Sequence, residues 1–285
     1  MKIQIPVAAY IRYNPATYLE KALRELGHNA FITQGQVPED DPSVDLYLCV
    51  DSGGPLVVQD SWASRCAFWF IDSRRNCNPD VRQPDDDSQA EKIFKAGGWV
   101  FQAQYEDTLR LRDKGIDSTW LPLAADPEVW ASHPKENKLY DVAFVGNCYD
   151  PTRLEILDKL GKEFNFYWPG IEGAIMEDGA KVYRQSRVGF NISSFYGQNI
   201  AYDINMRVFE IMSCGIPLVT NYVLGLDLLP GLGNCPGVFT YQSLEEIVPT
   251  IKEALECETV YTHNSIVEKH TYRHRAQQIL EVVGV

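Results

Sequence analysis

Between Asn205 and Thr220 the chain reads Asn-Met-Arg-Val-Phe-Glu-Ile-Met-Ser-Cys-Gly-Ile-Pro-Leu-Val-Thr, a pattern that fits little besides a helix, a turn and a buried strand. Val208, Ile211 and Met212 recur at helical spacing and form an apolar face, with Asn205, Arg207 and Glu210 on or near the other side. Gly215 stands where a helix C-cap belongs, and residues 216–219 have the unbroken apolar run of an interior strand in a parallel sheet. A helix that feeds such a strand packs on the sheet with its N-terminus at the carboxyl edge. There its free N–H groups and positive dipole end suit a phosphate. Arg207 in the first turn offers a forked donor to diphosphate oxygens, and Glu210, one turn on, offers acceptors to ribose hydroxyls. The same spacing lets Arg207 and Glu210 pair with each other on a plain surface helix, so both readings stay open at this level.

Length and charge narrow what such an element belongs to. With 285 residues, 45% of them hydrophobic, the chain can bury one large core or two medium ones, and two domains is the expectation. A net charge of −13 and an isoelectric point near 4.8 oppose binding to a polyanion. Lys and Arg form no run, so nucleic acid is not an expected partner. No apolar stretch approaches the roughly 18 residues needed to cross a bilayer, and the start, Met-Lys-Ile-Gln-Ile-Pro, lacks the apolar centre of a secretion signal. The expectation is a soluble, cytoplasmic protein without a transmembrane segment. Seven cysteines, scattered without Cys-x-x-Cys or Cys-x-x-His spacing, suit reduced and mostly buried thiols better than a disulfide framework or a zinc site. Cys214 ends the key helix, but no His neighbours it in sequence, which argues against a nucleophile.

Along the chain, residues 2–9 read as a strand, 15–26 as a helix closed by Gly27, and 29–33 as a second strand, a βαβ opening. Strands follow at 45–50 and 66–71, each ending in polar residues where a site would lie. Ser88 opens a helix with Glu91 three residues on, the spacing of a capping box, and Gly97-Gly98 ends it. A strand at 100–103 and a helix at 106–114 capped by Gly115 lead to a proline-bounded apolar segment, 120–127, and a polar linker, 132–138. The pattern then restarts. A strand at 141–145 runs into the turn Gly146-Asn147, and a helix at 151–160 carries Pro151 in its first turn. Further strands at 164–168, 188–192, 216–220 and 238–240 alternate with helices at 180–185 and 205–213. A segment at 243–255 and two last helices complete the chain. This is an α/β organisation of two successive βαβ domains joined near residues 125–138.

Four segments in order carry a resemblance: Asn205-x-Arg207-x-Phe209-Glu210 with Gly215-x-Pro217-Leu218; Val142-Ala-Phe-Val-Gly146-Asn147; Trp120-Leu-Pro-Leu-Ala-Ala-Asp126; and His270-Thr-Tyr-Arg-His-Arg275. Together they resemble the CgeB-like glycosyltransferases, relatives of the group 1 sugar transferases with a GT-B fold, over roughly Phe68 to the C-terminus. The resemblance implies two facing Rossmann-like domains with parallel sheets: residues 1–125 on the acceptor side, 126–270 binding a nucleotide-sugar, and a last helix, 271–285, returning to the first domain. It implies a hexosyl transfer in the cleft between them, with retention of configuration, from a nucleotide-diphosphate-sugar, a UDP-sugar being favoured. The acceptor, whether saccharide, protein or small molecule, is not specified, and no cofactor or metal is implied. Carried over by position, Glu210 holds the ribose, Arg207 and Asn205 the diphosphate side, and Gly146-Asn147 lets backbone approach the phosphates. Arg153 is a second source of charge for the leaving group, and residues 167–170, Tyr167 first, line the base pocket, with residues 191–194 nearby. In one respect the chain departs from the group 1 pattern. Tyr202, with Asp203 beside it, occupies the position of the first of two paired glutamates, so Tyr202 joins the donor-side candidates and the sugar contacts differ.

Glycosyl transfer must stabilise an oxocarbenium-like centre and a departing diphosphate, and cationic side chains with helix N-termini serve the second need. Asp72, which ends the strand Phe68-Trp-Phe-Ile71, is the first choice for a catalytic base or an acceptor-positioning group. The competing reading has it cap a turn and pair with Arg74 and Arg75. Asp51 is a weaker candidate, and Asp126 shapes the segment between domains. Asp85-Asp86-Asp87 reads as a solvated turn rather than a metal site. His270 and His274 stand at metal-ligand spacing without a third ligand near in sequence, so other contacts are expected of them. A nicotinamide-dependent dehydrogenase is disfavoured, because no Gly-x-Gly-x-x-Gly follows either first strand. The main alternative is a non-catalytic relative that binds a nucleotide-sugar or serves in structure or assembly, and a DNA glycosyltransferase is opposed by the acidic balance.

Overall fold

An apolar strand followed by a helix is the unit from which the chain is assembled. The computed structural model describes residues 1–35, 39–51, 56–73, 87–131, 136–146, 148, 151–170, 176–193, 203–233, 235–257 and 262–285. In chain order the elements are β1 (Lys2–Val7), α1 (Pro15–Glu25), β2 (Asn29–Gln34), β3 (Leu46–Val50), β4 (Cys66–Phe70), α2 (Ser88–Lys95), β5 (Trp99–Gln102), α3 (Tyr105–Asp113) and β6 (Thr119–Trp120). They continue with α4 (Pro127–Trp130), β7 (Tyr140–Ala143), α5 (Pro151–Glu163), β8 (Phe166–Tyr167), α6 (Met176–Arg184), β9 (Ser186–Phe190), α7 (Met206–Ser213), β10 (Leu218–Asn221), β11 (Val238–Tyr241), α8 (Ile247–Leu255), α9 (Thr262–Lys269) and α10 (Tyr272–Val283). The chain divides into two units, Met1–Leu123 with Tyr272–Val285, and Ala124–Thr271. Among the described residues no helix is long and apolar enough to cross a membrane.

In the first unit the described strands form one parallel sheet in the order β2-β1-β3-β4-β5-β6. β3 and β4 are buried at every position, as strands with both faces covered must be. That is why Leu-Tyr-Leu-Cys-Val and Cys-Ala-Phe-Trp-Phe are unbroken apolar runs rather than alternating ones. Asn14 starts α1: its side chain accepts the Thr17 N–H at 3.0 Å, while the Thr17 hydroxyl accepts the Asn14 N–H at 3.1 Å. α10 belongs to this unit and packs on α1, where the rings of Tyr18 and Tyr272 stack at 4.8 Å. Buried Arg275 anchors it, donating from Nε to the Pro122 carbonyl at 2.5 Å and from Nη2 to the Leu123 carbonyl at 3.1 Å.

The capping box expected at Ser88 and Glu91 is not formed. The N-cap of α2 is Asp87, and its side chain makes no cap bond. Its carboxylate takes Arg110 Nη2 at 2.9 Å and Lys114 Nζ at 2.7 Å, while Glu91 pairs with Lys95 at 2.6 Å. Two cations outcompete the backbone N–H groups for that carboxylate, since charge-assisted bonds are the stronger ones. Asp87 therefore sits in an ion-pair network rather than in a solvated acidic turn; Asp85 and Asp86 lie outside the described residues.

In the second unit the described strands form a parallel sheet in the order β11-β10-β9-β7-β8. Its core joins Val142, Phe144, Val188, Phe190 and Val219 to Leu157, Leu160 and Ile251. From β7 the chain steps outward to β8 and then returns to the opposite side of β7 for β9. The segments that leave β7 and β9 consequently diverge, and such a switch point opens a crevice at the carboxyl ends of the strands. The corresponding switch in the first unit lies between β1 and β3.

Candidate functional site

The switch between β7 and β9 is occupied by the first turn of α7. Asn205 is its N-cap and accepts the Arg207 N–H at 3.1 Å. The helix lies close on the sheet because Gly189 of β9 has no side chain: a Cβ there would run into the Ile211 side chain. Val208, Ile211 and Met212 are buried, as their spacing requires, and so is Phe209, but so too is Glu210, which spacing alone assigns to a more open side. Phe209 packs against the ring of His270 at 5.6 Å, and His270 Nε2 lies 2.8 Å from the Pro230 carbonyl. The covered face of α7 is thus a property of tertiary packing.

Arg207 is held at several points. Its Nε donates to the Val145 carbonyl at 2.6 Å, its Nη1 to Asn191 Oδ1 at 3.0 Å, and its guanidinium lies 5.0 Å from the centre of the Phe144 ring. Gly146 passes directly beneath it; a Cβ there would come within 2.6 Å of Nη2. Arg153 of α5 is buried, donates from Nη2 to the Ile192 carbonyl at 3.2 Å, and approaches the same Phe144 ring at 6.0 Å. Two guanidinium groups therefore share one ring at the carboxyl ends of β7 and β9.

Glu210 forms no ion pair with Arg207 among the described residues. It is 4% exposed, and its Oε1 is buried without a hydrogen-bond partner. Burial pushes its carboxyl up to about 7, with the Arg207 charge acting the other way. Burial also raises the nearby Tyr183 phenol, whose oxygen accepts the Val145 N–H at 3.1 Å. The Cys214 thiol is raised by burial too, which keeps it protonated and unreactive.

Asn191 and Ser193 follow β9 and, besides Arg207, reach across to β10 and β11. Asn191 Nδ2 donates to Thr220 Oγ1 at 2.8 Å, and the Tyr241 hydroxyl donates to the Asn191 carbonyl at 3.1 Å. The Ser193 N–H donates to Asn221 Oδ1 at 2.9 Å. Tyr167 is half-buried on β8 with its ring 5.0 Å from that of Tyr140, and the Trp168 Nε1 beside it is buried without a partner. The structure brings Gly146, Arg153, Asn205, Arg207 and Glu210 to one sheet edge, with Tyr167 on the neighbouring strand. Asn147, Ser194 and Tyr202 lie outside the described residues, as do Arg74 and Arg75. Asp72 is exposed just beyond β4 in the first unit, and Asp51 is buried at the end of β3, beside that unit's switch point. Phe144, Gly189, Tyr183 and Asn221 escape the sequence reading; the signal for Asn221 is the polar pair Thr220-Asn221 after the apolar run Ile-Pro-Leu-Val. Among the described residues no three His, Cys, Asp or Glu side chains stand close enough to hold a metal ion.

The architecture, an α/β fold with two parallel sheets, matches solved GT-B glycosyltransferases. Sucrose-phosphate synthase from Thermosynechococcus elongatus superimposes with a TM-score of 0.61 at 11% identity, covering 99% of this chain and 98% of the synthase chain. AviGT4, a glycosyltransferase involved in avilamycin A biosynthesis, gives 0.62 at 14% identity over 99% and 96%. Anabaena HepE, solved in complex with UDP and glucose, gives 0.62 at 11% identity over 99% of both chains. No curated protein matches the sequence. The pattern of the family described as glycosyl transferase-like matches residues 138–281, about half of the chain and nearly all of the second unit. With the β7–β9 switch point, its paired guanidiniums and its buried glutamate inside that span, this chain belongs to the glycosyl transferase-like family.

Proposed function

We propose that the protein transfers a hexosyl group from a nucleotide-diphosphate-sugar, a UDP-sugar being favoured, to an acceptor hydroxyl. The observation that carries this reading is Glu210: a buried carboxylate with an unmet acceptor oxygen, beside cations at a sheet switch point. Burying such a group without a partner costs stability, and the two hydroxyls of a ribose would satisfy it. In this reading the α7 N-terminus, Arg207 and Arg153 take the charge of the departing diphosphate, Gly146 and Asn147 let backbone approach it, and Tyr167 borders the base. Leaving-group charge is met by side chains and a helix end, so the reaction is assigned as metal-independent. Asp72 serves the acceptor, and Tyr202 contributes on the sugar side. Asn205-x-Arg207-x-Phe209-Glu210 supports a place in the CgeB-like branch of the family, and with it a retaining outcome. The second reading, a relative that binds a nucleotide-sugar without turnover, draws on Tyr202 at the position of a paired glutamate.

Thermal melting of the purified protein against UDP, GDP, dTDP, CMP and their sugar conjugates, with NAD as control, tests the proposal. A ligand that binds only the folded state raises its stability by mass action. Stabilisation by one nucleotide diphosphate and its conjugate, with none by NAD, is expected. A folded protein indifferent to the whole panel would overturn it.

A further inference from the structure

We propose that Asn221 is a further donor-site residue whose side-chain NH2 binds an oxygen of the transferred sugar. The inference rests on the donor reading above and adds a sugar contact to it. Asn221 closes β10 and is 5% exposed. Its Oδ1 accepts the Ser193 N–H at 2.9 Å, and because a backbone N–H can only donate, the amide is fixed with its oxygen toward Ser193. Nδ2 is then buried with no acceptor among the described residues. A buried donor of this kind calls for an acceptor from elsewhere.

Its surroundings indicate which part of a donor lies there. Arg207 Nη1 bonds Asn191 Oδ1 at 3.0 Å, and Asn191 Nδ2 bonds Thr220 Oγ1 at 2.8 Å, on the residue next to Asn221. The Ser193 hydroxyl donates to the Asp203 carbonyl at 2.7 Å, close before the α7 cap. One hydrogen-bonded chain thus joins Arg207 to the neighbourhood of Asn221. Across the sheet the order β10-β9-β7-β8 sets Tyr167 to one side of Arg207 and Asn221 to the other. Strands stand about 4.8 Å apart, so β8 and β10 are separated by roughly 14 Å, the reach of a nucleotide-sugar laid out as base, diphosphate and sugar. With the base at Tyr167 and the diphosphate at Arg207, the sugar falls to Asn221. Hydroxyl and ring oxygens are the acceptors that its NH2 lacks.

Asn221→Asp keeps an oxygen for the Ser193 N–H and removes the NH2, while Asn221→Ala removes both. UDP, UDP-glucose, UDP-galactose and UDP-N-acetylglucosamine are titrated by calorimetry into the wild type and both variants, after thermal melting has shown which are folded. The charge added by aspartate weighs more on UDP, whose terminal phosphate carries an extra charge, than on its conjugates, so a sugar preference lost in spite of that bias, and lost likewise in the uncharged Asn221→Ala, is assigned to the amide. Wild type is expected to bind one conjugate more tightly than UDP, and each folded variant to lose about tenfold of that preference. An unchanged preference in a folded variant overturns the assignment and leaves Asn221 as a clamp on Ser193. So does a wild type that binds UDP but gains nothing from any of the three sugars. A wild type blind to UDP overturns the donor reading itself, and the sugar contact with it.

Discussion

Gly146 lies directly under the Arg207 guanidinium, so close that a Cβ added to the glycine would come within 2.6 Å of Nη2 and 2.9 Å of Cζ. The guanidinium has little room to yield, because Nε is held by the Val145 carbonyl and Nη1 by Asn191. Gly146→Ala should therefore displace Arg207 while leaving the fold standing. About 1 kcal/mol of stability and roughly tenfold in UDP affinity are expected to be lost, read by chemical denaturation and calorimetry. Unaltered UDP affinity would separate Arg207 from the diphosphate.

Gly189 makes a different prediction, because its neighbour is packed core rather than a charged tip. A Cβ there meets the Ile211 side chain on the face of α7 that lies on β9. Gly189→Ala should cost about 1–3 kcal/mol by overpacking. Ile211→Val in the same chain should return part of it. If the second substitution adds to the loss instead, the close seating of α7 is not what Gly189 provides.

Glu210 makes stability depend on pH. Its folded-state pKa is raised to about 7, chiefly by burial, from an ordinary value of 4.5. Between those values the unfolded chain releases the proton and the folded chain keeps it, so stability falls as pH rises from about 4.5 to about 7 and levels off above. The span is on the order of 3 kcal/mol. Glu210→Gln should flatten that segment and raise stability at pH 8, measured by denaturant unfolding across the pH range. A wild-type profile that the substitution leaves unchanged would mean that Glu210 is ionised in the folded protein throughout.

Asp72 stands exposed at the carboxyl end of β4. Asp72→Asn should spare donor binding and depress transfer to the acceptor by ~100-fold, the scale of a lost general base. Full turnover in that variant would shift attention to Asp51, which is buried at the end of β3 beside the switch between β1 and β3.

Much of the fold is legible in the sequence because its signals are local. Gly215 and the spacing of Val208, Ile211 and Met212 define α7, and the apolar runs within 45–50 and 66–71 announce strands. What escapes the sequence depends on distant chain. Glu210 is buried although its spacing suggests a more open side, because the helix is packed on more than its sheet face, with His270 against Phe209. The Ser88 and Glu91 pattern is outcompeted by Arg110 and Lys114, which claim Asp87 from α3 and its C-cap. Spacing also leaves a pair between Arg207 and Glu210 open, whereas the guanidinium is spent on Val145 and Asn191, residues fixed by strands far away in sequence. Asn221 gives only the weak signal of a polar residue at a strand end, since its meaning depends on which strand lies alongside.

Calorimetric titration of UDP into the wild type and Glu210→Ala, each checked for an intact melting transition, tests the account most directly. If Glu210 receives the ribose hydroxyls, the wild type binds UDP and the variant binds it more weakly by about 1.5–3 kcal/mol, with the fold intact. Equal affinity in two folded proteins would contradict it.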